Sequence, residues 1–66
     1  MRKPTYWIIR KSTKENIFMA KEGGWTEKFS ETMICLSSAF KDAMLEEAQK
    51  EAPGAISVKC VWENAI

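Results

Sequence analysis

Residues 39–52, AFKDAMLEEAQKEA, form one uninterrupted run of strong helix formers without Gly or Pro. Ser37-Ser38 precedes it, and a serine hydroxyl can satisfy an orphaned N–H of the first turn. Pro53-Gly54 follows and ends it. Phe40, Ala43, Met44 and Ala48 make an apolar stripe, with Leu45 and Ala52 on its edge. Asp42, Glu46, Gln49 and Lys50 lie opposite, and Glu46 and Lys50 are spaced for an i, i+4 ion pair. One such helix has a single stripe to bury, so the rest of the chain must supply one matching surface.

The remaining apolar runs are short and β-like. Residues 5–11, TYWIIRK, are aromatic and β-branched, and Pro4 is tolerable at a strand start. STKEN (12–16) is a polar turn of about five residues, and Ile17-Phe18-Met19-Ala20 returns as the second arm of a hairpin spanning 5–21. TMICL (32–36) is a third candidate strand and AISVKCVWE (55–63) the last. In that last strand Ile56, Val58, Cys60 and Trp62 point one way, as a sheet covered on one face demands. The expectation is an α+β fold, β-β-β-α-β: an antiparallel three- to four-stranded sheet with one amphipathic helix on one face. The sequence has no repeat, low-complexity segment or linker, so residues 1–66 read as one domain.

A single helix leaves the other sheet face uncovered. Tyr6 and Ile8 lie on one side of the first strand, Trp7 and Ile9 on the other, and Met33/Cys35 alternate with Ile34/Leu36. Whichever set meets the helix, an aromatic and two or three aliphatic side chains face away from it. Either the loop at 22–31 folds over them, or they form a protein-binding face or homodimer interface.

Much chemistry is excluded by what is missing. The chain has no histidine, so the commonest general base, nucleophile partner and metal ligand is gone. Two cysteines without histidine do not build a zinc site. Glu46, Glu47 and Glu51 read as solvated helix carboxylates. Gly23-Gly24 lacks the Gly-x4-Gly-Lys-Ser/Thr register of a phosphate loop. No catalytic residue, metal site or cofactor is expected. Cys35 and Cys60 sit in apolar runs and read as reduced, buried thiols in a cytoplasmic protein, with a Cys35–Cys60 bridge as the alternative. No apolar run reaches the ~20 residues of a membrane span.

Net charge is +1, but its distribution is uneven. Residues 1–28 hold seven Lys/Arg against three Glu; residues 29–52 hold two Lys against five acids. Such a dipole can steer a partner. Lys3, Tyr6, Trp7, Arg10, Lys11 and Lys14 interleave cations with aromatics, as a nucleic-acid stacking platform would. The small net charge and the acidic helix argue against that use.

KEGGWTEKFS (21–30) sets two glycines against Trp25. The glycines suit a tight bend. Trp25 either packs inward or joins Tyr6 and Trp7 in a binding surface, and so short a chain favours packing inward. The order of features over residues 5–62 resembles a set of short phage-encoded proteins: a hairpin, GGWT at 23–26, an apolar strand ending Leu36-Ser37-Ser38, an Ala/Glu-rich helix and a last strand. Phage inhibitors of host RNA polymerase and anti-CRISPR proteins share such a layout. The resemblance implies stoichiometric binding of a host protein or defence complex in the cytoplasm, without catalysis. Candidate contacts are Tyr6, Trp7, Arg10, Lys11 and Trp25, with Asp42, Glu46 and Glu47 as a second surface. The alternative is a small-ligand or nucleic-acid binder using a sheet face or dimer groove.

Overall fold

The computed structural model describes residues 5–61. Lys3, Pro4, Trp62 and Glu63, which figure in the expectations above, lie outside them. The element order is β1 (Thr5–Ser12), β2 (Glu15–Met19), β3 (Trp25–Thr26), a 3-10 turn (Phe29–Glu31), α1 (Ser38–Glu51) and β4 (Ile56–Val61). The strands form one antiparallel sheet in the order β3-β2-β1-β4, with α1 packed against it. The fold is α+β, as the sequence predicts.

β1 and β2 are joined more tightly than expected, through Thr13 and Lys14 alone, with an irregular register between Arg10 and Ser12. The Ser12 hydroxyl accepts the Lys14 N–H at 3.3 Å, a local bond that lets so short a turn close.

The third strand is not at 32–36. It is the two-residue β3 at the GGWT corner, where Trp25 pairs with Met19 and Thr26 with Phe18. Gly23 (φ 100°) and Gly24 (φ 75°) turn the chain back, and the Ala20 N–H donates to the Gly24 carbonyl at 2.9 Å. Both angles are in the region side chains disfavour. A Cβ at either glycine meets nothing within 4 Å, so conformation and not crowding demands glycine here. Segment 32–36 stays extended but touches the sheet only through the bridges Ala20↔Thr32 and Trp7↔Cys35. It fills the place beside β1 that the five-residue β2 leaves vacant.

Ser37 caps α1, its hydroxyl accepting the Phe40 N–H at 3.1 Å. At the other end the Gln49 side-chain amide donates to the Ala55 carbonyl at 3.1 Å and ties the helix to the start of β4. The buried row of α1 is Ala48 and Ala52 with half-buried Met44 and Leu45; Phe40 and Ala43 are exposed. The stripe is therefore turned away from the expected one. Lys41 takes the place given to Phe40: it is largely buried, and its ammonium sits 5.6 Å from the Trp7 ring centroid. A lysine stem can cover apolar surface while its charge finds a π-face, which hydrophobic periodicity does not register.

The core under the helix is Ile9, Ala48, Ala52 and Ala55, with Met19, Trp25, Met44 and Leu45 packed around them. Small helix residues let α1 approach the sheet closely over the fully buried Ile9.

Candidate protein interface

Strand register sorts every candidate residue by face. Trp7, Ile9 and Lys11 of β1 face α1, because Ile9 is in the core and Lys41 lies over Trp7. Tyr6, Ile8 and Arg10 face the other way. Arg10 is opposite Phe18 on one side and Ile56 on the other; Ile8 is opposite Val58, and Tyr6 opposite Cys60. The helix-free face thus carries Tyr6, Ile8, Phe18, Ile56, Val58 and Cys60, with Arg10 at one end. Tyr6 and Ile8 in the middle are buried; Phe18, Ile56, Val58 and Cys60 around them are half-buried.

This corrects the reading of the last strand. Its apolar row, Ile56, Val58 and Cys60, does not face the helix. Ser57, Lys59 and Val61 lie on the helix side, because they are opposite Ile9, Trp7 and Thr5, the row of β1 that faces α1.

The polar end of the face is organised by Arg10. Its Nε donates to the Glu15 carbonyl at 2.7 Å and its Nη2 to the Asn16 side-chain oxygen at 2.9 Å. The guanidinium is held against the end of β2, at the rim where a charged anchor can meet a partner without being fully desolvated. Opposite, the Tyr6 hydroxyl pairs with the Cys60 sulfur, and the Cys60 thiol donates to the Val58 carbonyl at 3.9 Å. Burial pushes the Tyr6 hydroxyl above its ordinary pKa, and the Cys60 hydrogen bond and charge push the same way. Burial alone raises the Cys35 thiol.

The expected contact residues therefore do not form one surface. Tyr6 and Arg10 lie on the helix-free face, with Tyr6 only 8% exposed. Trp7, Lys11 and Trp25 lie on the helix side. Trp25 packs inward against the core, and Lys11 sits 5.8 Å from its ring centroid, so Trp25 does not cover the open face. Asp42, Glu46 and Glu47 are exposed on α1. Asp42 pairs with Lys41 at 2.7 Å and Glu47 with Lys50 at 3.4 Å; Lys50 pairs with Glu47 and not with Glu46 as the spacing suggested. Phe18, Ile56, Val58 and Cys60 are the members of the face that sequence reasoning missed. Their signal is the alternation of 56–60, which shows one apolar side of the strand but not which face of the sheet it joins.

Cys35 is the bridge partner of Trp7 and shares its side of the sheet, whereas Cys60 is opposite Tyr6 on the other side. The sheet separates the two thiols, and both are free. A recess of about 250 Å³ lies at the GGWT corner, between Trp25, Lys21, Glu22 and Glu31. It is open to solvent and mixes both signs of charge. Among the described residues no cluster of His, Cys, Asp and Glu could hold a metal, and no helix is long and apolar enough to cross a membrane. No protein-family model, curated protein or solved structure matches the chain.

Proposed function

We propose that this chain is a protein-binding module that acts through the helix-free face of its sheet and not by catalysis. One observation carries the reading: the half-buried apolar row of Phe18, Ile56, Val58 and Cys60, with the fixed Arg10 guanidinium at its end, on the side α1 does not cover. Apolar centres with an arginine rim are what protein interfaces concentrate their binding energy in. The GGWT pattern supports a narrower form of the proposal, a phage-encoded inhibitor that occupies a host protein or defence complex inside the host cell.

The test is affinity capture from bacterial lysate with four baits, all checked for folding by circular dichroism. The unaltered chain and Glu46→Lys retain the same partner, and Val58→Glu and Phe18→Ser lose it. Loss with Glu46→Lys and retention with both face variants would move the interface to the acidic helix.

A further inference from the structure

β4 is the outer strand of the sheet among the described residues, with β1 on one side only. Trp7 exchanges both its backbone bonds with Cys35, at 2.9 and 2.8 Å, so its N–H and C=O point away from β4. By alternation Tyr6, Ile8 and Arg10 turn theirs toward β4 and bond Cys60, Val58 and Ile56. Ser57, Lys59 and Val61 then direct their N–H and C=O outward, a row able to accept another strand.

We propose that this row pairs with the same row of a second copy, antiparallel, in the register that sets Val58 opposite Val58. Ser57 of each copy then lies opposite Lys59 of the other, and their outward N–H and C=O groups form the ladder. Ile56 lies opposite Cys60 on the helix-free side, which continues the apolar row of one copy into that of the other. The neighbouring registers are worse for identifiable reasons. A shift toward the C-terminal end puts Lys59 opposite Lys59, like charges face to face. A shift the other way carries Pro53 and Gly54 into the ladder, where proline has no N–H to give. The strand is thus complementary to itself in one register, which selects a second copy as the occupant. The pair joins two four-stranded sheets edge to edge, with both helices on one side. This inference is independent of what else the sheet face binds.

Sedimentation velocity across micromolar concentrations should show a monomer–dimer equilibrium. Ser57→Glu should tighten it and Ser57→Lys weaken it, each by roughly tenfold, because the substituted residue faces Lys59 twice per dimer. Ser57 is half-buried opposite Ile9, so the thermal midpoint of each variant, read by circular dichroism, checks that the monomer is folded before its association is compared. Ile56→Cys gives a second readout. Diamide should take two electrons and two protons from the introduced thiol and Cys60 of the other copy, leaving an intermolecular disulfide and the reduced hydrazine. Mass spectrometry identifies the link, and Thr13→Cys, remote from the strand, should not form it. A monomer at all concentrations overturns the proposal. So does a dimer indifferent to the charge at position 57 that fails to cross-link from position 56.

Discussion

The Lys41 ammonium lies 5.6 Å from the centre of the Trp7 ring while also contacting the Asp42 carboxylate at 2.7 Å. A cation at that distance from an indole contributes about 0.5–2 kcal/mol, more as it is desolvated. The contact pins the first turn of α1 to the outer half of β1, where no buried helix residue does so. Lys41→Met keeps the stem and removes the charge. It should cost about 1 kcal/mol in urea denaturation and change the Trp7 emission, whereas Lys41→Arg should preserve both. Unchanged stability in Lys41→Met would show the stem alone to matter.

Ile9 is fully buried between the sheet and the alanines of α1. Ile9→Ala should cost about 2–5 kcal/mol, a large part of the stability of so small a domain. Ala48→Leu should cost about 1–3 kcal/mol for the opposite reason, since there is no room for it. Equilibrium denaturation measures both, and a neutral Ala48→Leu would mean the helix can lift from the sheet.

Gly23→Ala and Gly24→Ala test the corner. Each forces a side chain into positive φ, at about 1–2 kcal/mol. Gly24→Asn should cost less, because asparagine tolerates that region best. Equal costs for alanine and asparagine would point to a lost contact rather than to backbone conformation.

Stability should fall in alkali. Cys35 is raised above its ordinary value of 9.0 and Tyr6 above 10.0. The folded chain holds these protons more tightly than the unfolded one, so their contribution is complete below the ordinary values. It is lost as pH rises through the raised ones. The denaturation midpoint should begin to drop above pH 9.0, and Cys35→Ala should remove the earlier part of that drop. A midpoint rising above pH 9.0 contradicts the assignment.

Ser37→Ala removes the acceptor for the Phe40 N–H and should cost about 1 kcal/mol. Ser37→Asp should restore it, read by helix content in circular dichroism and by thermal midpoint.

The helix and its serine cap were legible because propensity, capping and the Pro-Gly stop all agree locally. The hairpin was legible because its two apolar runs flank a polar turn. Faces were not. Ile56, Val58 and Cys60 alternate cleanly, but alternation says only that one side is apolar, not which side the helix will choose. The sequence of 32–36 suits a strand, yet the corner glycines bring Trp25 to β2 first and leave that segment two bridges. Phe40 lost its buried place to Lys41, whose stem and charge found Trp7. Each departure depends on where distant segments meet, which local pattern does not encode. The candidate interface was half visible: Tyr6 and Arg10 were named, while its larger part on β2 and β4 needed the register.

β1 sits at the centre of the sheet, and its far neighbour is the last described strand, with Thr5 opposite Val61. On the ribosome, the hairpin and the GGWT corner can form as soon as they emerge. Ile9 must wait for α1, and the outer side of β1 stays bare until Val61 is clear of the exit tunnel. Folding is therefore held until synthesis has passed that point, and a chain stalled earlier exposes β1 to any other strand it meets.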